Sequence, residues 1–180
     1  SAANDITVCS IFVNPTQFNN KADYIKYPIT IESDIDKLER SGCDLLFLPS
    51  VNEMYPEGEE AVHYDLGYME TILEGKYRPG HFQGVCRIVD KLLSAVKPDL
   101  MYLGRKDYQQ CMVIAKMMKE RNYPTSLKIC DTVRESDGLA MSSRNLRLSR
   151  EERRLAVKIS ECLQMMKKRF PNDNLSDIKK

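Results

Sequence analysis

Apolar positions along this chain come in two alternating kinds of block. Ile6 to Val13 (ITVCSIFV) and Cys43 to Leu48 (CDLLFL) are nearly continuous apolar runs, the first of them rich in β-branched residues. Such runs predict strands buried on both faces, as in a parallel sheet. Pro15 and Pro49 close them, since proline cannot donate to a central ladder. Between them the pattern predicts a helix from about Ile31 to Ser41, stopped by Gly42. From Val85 the period becomes helical, with Val85, Ile88, Val89, Leu92, Leu93 and Val96 on one face and Pro98 as the stop. Asp99 to Leu103 reads as a short strand. A helix from about Lys106 to Asn122 follows, with Tyr108, Cys111, Met112, Ala115 and Met118 as its expected buried stripe. Ser126 to Cys130 is the next strand. Ser149-Arg150-Glu151-Glu152 has capping-box spacing and opens a last helix, with Leu155, Ile159, Leu163 and Met166 expected inward and Pro171 ending it. Asn172 to Lys180 reads as a linker and the first turn of another helix.

The stretch from Val51 to His81 is harder to order; its turn residues separate short, strand-like pieces. Strands alternating with helices nevertheless argue for an α/β fold with a parallel sheet and right-handed crossovers. Ligands of such sheets bind beyond the carboxyl ends of the strands.

Composition narrows the class without choosing a function. The 180 residues carry a net charge of +1, so no general electrostatic attraction to nucleic acid or membrane is expected. No apolar run approaches the ~20 residues of a membrane helix, and no signal peptide is evident at Ser1-Ala2-Ala3-Asn4-Asp5. Cys9, Cys43, Cys86, Cys111, Cys130 and Cys162 are dispersed, with no CxxC pair, and there are only two histidines, His63 and His81. That pattern predicts a reduced, cytoplasmic protein without a zinc cluster. A chain that starts without Met is also expected to be trimmed or partial.

Three loops at the expected ligand edge carry chemistry. Asn14-Pro15-Thr16-Gln17 follows the first strand with two amides that both donate and accept, suited to a small polar substrate or to an ordinary Asn-Pro turn. Gly104-Arg105-Lys106-Asp107-Tyr108-Gln109-Gln110 joins a strand end to a helix start, where Lys106 and helix N–H groups favour phosphate. Asp107 would repel phosphate there and suits an N-cap, a ribose hydroxyl or Mg²⁺ through water. Gln110 lies three residues on, on the same helix face. This is not a Walker loop, because G-x-x-x-x-G-K-[ST] is absent. In Asp137-Gly138-Leu139-Ala140-Met141-Ser142-Ser143-Arg144-Asn145, two hydroxyls and a guanidinium stand in a row, a donor set for a polyanion or, more simply, a capping cluster. Taken together, the three loops favour a nucleotide-using enzyme.

Four segments in order carry a resemblance over nearly the whole chain: IFVNPTQF (Ile11 to Phe18), RPGHFQGV (Arg78 to Val85), GRKDYQQ (Gly104 to Gln110) and DGLAMSSRN (Asp137 to Asn145). They resemble the pantothenate synthetases, the pantoate–β-alanine ligase family. The resemblance implies a Rossmann-like nucleotidyltransferase fold, with residues 1–147 as the ATP- and pantoate-binding domain and 148–180 as the beginning of a C-terminal lid and dimer domain. It implies an AMP-forming ligase: pantoate attacks the α-phosphate of ATP to give pantoyl adenylate and pyrophosphate, and β-alanine then displaces AMP. Carried over by position, Gln17 and Gln110 would hold pantoate, with Asn14 and Tyr27 nearby. Gly104, Arg105, Lys106 and Asp107 would line the ATP site, Asp107 also near Mg²⁺. Val133 would meet adenine mainly through backbone, and Met141, Ser142, Ser143 and Arg144 would form the KMSKS-like loop. Lys106, Ser142, Ser143 and Arg144 would be the catalytic donors. Arg78 and His81 match an element placed at the active-site rim or the dimer contact. A cytoplasmic homodimer, without nucleic acid or membrane as partner, is also implied.

Two departures stand beside the likeness. Tyr27-Pro28-Ile29-Thr30 replaces the family's YPRT, removing an arginine. The family's opening P-T-M-G-x-L-H-x-G-H segment has no counterpart in these residues, nor has the part of the C-terminal domain beyond Lys180. The expectation is therefore an apolar sheet edge and a chain without the adenylation histidines, whose loss costs orders of magnitude in rate. A catalytically incompetent fragment, or another adenylate-forming nucleotidyltransferase acting on a different acid, are the alternative readings.

Overall fold

The first apolar run makes a short strand, β1 (Val8–Ser10), which pairs in parallel with β2 (Leu45–Phe47), Val8 opposite Leu45 and Ser10 opposite Phe47. The computed structural model describes residues 3–19, 21–60 and 62–170. It forms two compact units: Ser1–Leu103 with Asp107–Lys128, and Gly104–Lys106 with Ile129–Lys180. Burial of β1 and β2 on both faces, expected from their continuous apolar character, is not found: Val8 and Leu45 are 37% and 57% exposed. Among the described residues β1 pairs with β2 alone.

Between these strands, helix α1 (Lys21–Ile25) precedes α2 (Ile31–Arg40). The end of α2 follows from Gly42, whose φ of 69° only glycine adopts without strain. Cys43 N–H then reaches the Leu38 carbonyl and Gly42 N–H the Glu39 carbonyl, both at 3.0 Å, which closes a Schellman motif.

The segment that the sequence left unordered contains helical turns instead of strand-like pieces. Helix α3 (Val51–Met54) opens with a capping box: Glu53 N–H donates to Ser50 Oγ, and Ser50 N–H to Glu53 Oε2 at 2.7 Å. A 3-10 turn (Gly67–Glu70) and α4 (Leu73–Tyr77) follow. Ile72, before α4, has no side-chain oxygen to cap it. Gln109 supplies one from elsewhere, accepting from Glu74 N–H at 3.0 Å while its Nε2 donates to the Met69 and Ile72 carbonyls.

Helix α5 (His81–Val96) starts four residues before the apolar period, behind Gly80 at φ 76°, because His81 and Phe82 are buried as well. It packs against α6 (Tyr108–Glu120). Val85, Cys86, Ile88, Val89 and Leu93 meet Val113, Ile114, Met117 and Met118 in one core, each large side chain contributing about 1.5–3 kcal/mol by leaving water. The buried face of α6 differs from expectation. Cys111 and Met118 are buried, but Tyr108 is 58% exposed, and Val113, Ile114 and Met117 take the place of Met112 and Ala115. Apolar residues lie on most sides of this helix, so periodicity does not single out the face that meets α5. At one edge of this core Asp90 accepts from Tyr64 Oη at 2.9 Å, bonds Tyr123 Oη and pairs with Arg121 at 3.2 Å, so a buried carboxylate is fully compensated.

Strands β3 (Leu100–Gly104) and β4 (Ser126–Cys130) lie side by side. In the second unit a turn over Val133–Met141, a 3-10 helix (Ser143–Arg147) and α7 (Arg150–Arg169) follow. The predicted capping box of α7 is present, with Glu152 N–H to Ser149 Oγ at 3.2 Å and Ser149 N–H to Glu152 Oε2 at 2.8 Å. Its predicted inward stripe is largely exposed: Leu155, Ile159 and Leu163 are 69%, 66% and 53% exposed, Met166 is half-buried, and Ser160 is the buried residue of the helix. No described element covers that face. The expected stop at Pro171 and the helix turn after it lie outside the described residues.

Candidate functional site

In the first unit the Asn-Pro-Thr-Gln loop is a built feature. Pro15 to Gln17 form a 3-10 turn with Asn14 as N-cap and proline at its first position, where a missing N–H costs nothing. Asn14 is 2% exposed. Its Oδ1 accepts from Thr16 N–H at 3.2 Å, Thr16 Oγ at 2.9 Å and Tyr55 Oη at 2.8 Å. Its Nδ2 donates to the Gly84 carbonyl at 3.0 Å and to Gln17 Oε1 at 3.2 Å. Three donors on one end and a carbonyl on the other permit one orientation of this amide. That orientation requires Gln17 to turn Oε1 towards Asn14, leaving Nε2, a double donor, as the other end of the Gln17 amide.

The Gln17 backbone is held too. Its carbonyl oxygen can only accept, so His81 donates to it from a protonated Nδ1 at 2.8 Å, with Arg78 Nη2 at 3.3 Å. Arg78 Nη1 lies 3.3 Å from His81 Nε2, which fits a neutral ring accepting there. Burial lowers the His81 pKa from its ordinary value, the Gln17 carbonyl opposes this, and the Arg78 charge adds to the lowering. His81 is thus a buried strut beneath the loop, 6% exposed. Gly84 lets the loop approach α5: a β-carbon there would lie 2.3 Å from the Thr16 carbonyl oxygen. Tyr27 stacks edge-on against Phe18, with ring centres 5.7 Å apart. Gln110 is half-buried in the first turn of α6. Asn14 is engaged on every polar atom and positions Gln17; it does not present itself to a ligand.

The Gly104-to-Asp107 motif passes from one unit to the other. Arg105, Lys106 and Asp107 form a 3-10 turn and are exposed. Arg105 pairs with Asp131 at 2.7 Å. Asp107 occupies the N-cap position of α6, but its side chain makes no capping hydrogen bond.

In the second unit Val133 and Met141 face each other across a tight turn, with Met141 N–H on the Val133 carbonyl at 3.0 Å and an antiparallel bridge from Arg134 to Ala140. Gly138, at φ 88°, makes the reversal. Asp137 accepts from Leu139 N–H at 3.1 Å and from Arg153 at 2.8 Å, and these bonds, the backbone one first, lower its pKa. Ser142 Oγ caps the next 3-10 helix by accepting from Arg144 N–H at 3.3 Å, and Asn145 Nδ2 ties back to the Ala140 carbonyl at 3.0 Å. Ser142, Ser143 and Arg144 therefore stand at the start of a braced turn, Arg144 exposed and the serines half-buried. Val133 and Met141 are 67% and 50% exposed.

No group of three metal-ligating side chains occurs among the described residues. Among the described residues no helix is long and apolar enough to cross a membrane. None of the six cysteines is in a disulfide, and burial pushes the Cys86 thiol up to about 12, too high for a nucleophile.

Tyr55, Arg78, Gly84 and Gln109 are the site-building residues that periodicity did not single out. Signals existed for two: the Ser50-to-Glu53 capping box placing Tyr55 after a helix, and an isolated glycine inside a helical pattern, which often marks close backbone approach.

The sequence profile of the family described as pantoate-beta-alanine ligase matches residues 1–180. A pantothenate synthetase of Bacteroides fragilis is 51% identical over 160 residues, covering 89% of this chain and 56% of the relative. That of Cytophaga hutchinsonii is 45% identical over 97% of this chain and 62% of its own length. The chain thus spans little more than half the length of these relatives. The crystal structure of pantothenate synthetase from Thermus thermophilus superposes with a TM-score of 0.89 at 44% identity, covering 93% of this chain and 61% of that one. The ligase from Francisella tularensis, complexed with beta-gamma ATP and beta-alanine, gives 0.86 at 42% identity, covering 98% and 66%. The fold is accordingly the α/β, Rossmann-like nucleotidyltransferase fold.

Proposed function

Since the chain belongs to the pantoate–β-alanine ligase family, we propose that it carries the acid-binding and phosphate-binding parts of an ATP-dependent ligase joining pantoate to β-alanine. The observation that carries this reading is the Gln17 amide, clamped at backbone and side chain so that Nε2 is its remaining end. A double donor held in this way suits the carboxylate and hydroxyl oxygens of pantoate, and Gln110 would add a second amide. In this reading residues 1–147 form the nucleotide and acid domain, and 148–180 begin the C-terminal domain. The Francisella relative's complex with a nucleotide and β-alanine supports ATP and β-alanine as the other substrates.

The chemistry would run in two steps. A pantoate carboxylate oxygen bonds to the α-phosphorus of ATP as the bond to pyrophosphate breaks. The β-alanine amine then attacks the acyl carbon of the adenylate, and AMP leaves. The protein's part is to hold the reactants and stabilise charge on the transferred group. Lys106 and Arg144 supply positive charge. Ser142 spends an oxygen lone pair on the Arg144 N–H, so its own O–H stays available to a phosphate oxygen. The Arg105–Asp131 pair is exposed and worth at most about 1 kcal/mol, so Arg105 exchanges readily onto phosphate. Val133 and Met141 would flank adenine, with Asn14 and Tyr27 supporting the pantoate side. Asp107 would hold ribose or the magnesium that accompanies ATP, which supplies further positive charge. A cytoplasmic homodimer belongs to the same reading.

Pantoate-dependent exchange of labelled pyrophosphate into ATP tests it. The full-length protein should catalyse the exchange, and Arg144→Ala within it should lower the rate by two orders of magnitude or more, as loss of a transition-state donor does. Its melting temperature should not change. Exchange at wild-type rates in Arg144→Ala would remove this loop from the mechanism.

A further inference from the structure

We propose that Tyr55 is a positioning residue for the acid-binding amide, anchoring Asn14 and through it the Gln17 side chain that meets the substrate. This inference rests on the pantoate-binding reading of Gln17. Three donors reach Asn14 Oδ1, and two of them, Thr16 N–H and Thr16 Oγ, belong to the loop itself and move with it. The Tyr55 hydroxyl, at 2.8 Å, is the donor that comes from outside. Together with the Gly84 carbonyl on Nδ2, it fastens Asn14 to the body of the unit at both ends of the amide.

The phenol is itself held from several sides. Its ring lies 6.1 Å from that of Phe12 and carries the Arg87 guanidinium at 4.6 Å and the Lys91 ammonium at 5.6 Å. Glu59 bonds both cations, Arg87 at 2.7 Å, and so keeps them over the ring. Burial raises the Tyr55 pKa, the foremost of its causes, so the hydroxyl keeps its proton and remains a donor across the neutral range. If Asn14 were to flip, its Oδ1 would face the Gly84 carbonyl and its Nδ2 the Thr16 N–H, two mismatches at a residue that is 2% exposed. Those two contacts select the orientation that shows Gln17 Nε2 to a ligand, and the Tyr55 hydroxyl, able to donate or accept, holds the amide so oriented against the body of the unit.

The test is equilibrium titration of the full-length protein with pantoate, and separately with ATP, for wild type, Tyr55→Phe, Gln17→Ala and the double variant. Phenylalanine keeps the ring contacts and removes the hydroxyl alone. Tyr55→Phe should weaken pantoate about three- to tenfold, the range of one hydrogen bond, with ATP affinity and melting temperature unchanged. The double variant should bind pantoate no worse than Gln17→Ala, because residues acting through one contact are not additive. Unchanged pantoate affinity in Tyr55→Phe, additive losses in the double variant, or equal losses for both ligands with a lower melting temperature would each overturn the role. Wild-type protein that binds ATP but not pantoate would overturn the acid-binding reading itself, and the role of Tyr55 with it.

Discussion

At Gly84 two effects of opposite sign meet. Replacing a helical glycine by alanine ordinarily gains about 1 kcal/mol. Here the new β-carbon would lie 2.3 Å from the Thr16 carbonyl oxygen and 2.9 Å from Gln17 Cα, both backbone atoms that cannot swing aside. The clash should win, so Gly84→Ala is expected to lose about 1–3 kcal/mol in urea unfolding and to bind pantoate more weakly. A gain in stability would show that the loop is not pressed against α5. His81 gives a second residue-scale expectation. Its folded-state pKa is depressed below the ordinary value of 6.5, chiefly by burial. Its contribution is therefore complete above that value and is lost as pH falls through it, because the unfolded chain then binds the proton more readily. His81→Gln should melt with a smaller drop between pH 7.5 and 5.5 than wild type; parallel curves would exclude His81 as a source of acid sensitivity.

Helix ends set the expectations at the scale of elements. Helix α7 buries little of its own surface, so its capping box bears an unusual share of its stability. Ser149→Ala should cost about 1 kcal/mol and fray the first turn, seen as faster amide exchange at Glu152. At the other end of α5, Lys97 sits at φ 51°, a left-handed conformation that costs a residue with a β-carbon roughly 1–2 kcal/mol. Lys97→Gly should accordingly raise the midpoint of thermal unfolding, and a lower midpoint would mean that the lysine side chain matters more than its backbone.

For the whole molecule, the large apolar core lies within the first unit, between α5 and α6, whereas the described part of the second unit buries Ser160. Ile114, fully buried, and Ile159, 66% exposed, have the same side chain in opposite settings. Ile114→Ala should cost about 2–5 kcal/mol, and Ile159→Ala should stay within about 0.5 kcal/mol in this chain. Comparable losses at both positions would mean that the α7 stripe is covered in solution.

Sequence by itself settled the order of elements wherever a stop signal and a period coincided. Gly42 ended α2 in a left-handed cap, Ser149 and Glu152 opened α7, and Ser126 to Cys130 was a strand as read. These depend on neighbours within a few residues, and local chemistry is what sequence records directly. Four ordered motifs also carried the family and with it the fold. Only the tertiary structure decided which faces are covered. The apolar stripe of α7 has ideal helical spacing and no described partner, while α6, apolar on most sides, turned Val113, Ile114 and Met117 inward because α5 lies there. The same holds for the candidate site. Gln17 was legible as an amide after a strand, but the residues that aim it, Tyr55, His81 and Gly84, come from distant parts of the chain. A hydrogen bond across some 40 to 70 residues leaves no period in the sequence, since its geometry exists only once the chain has folded.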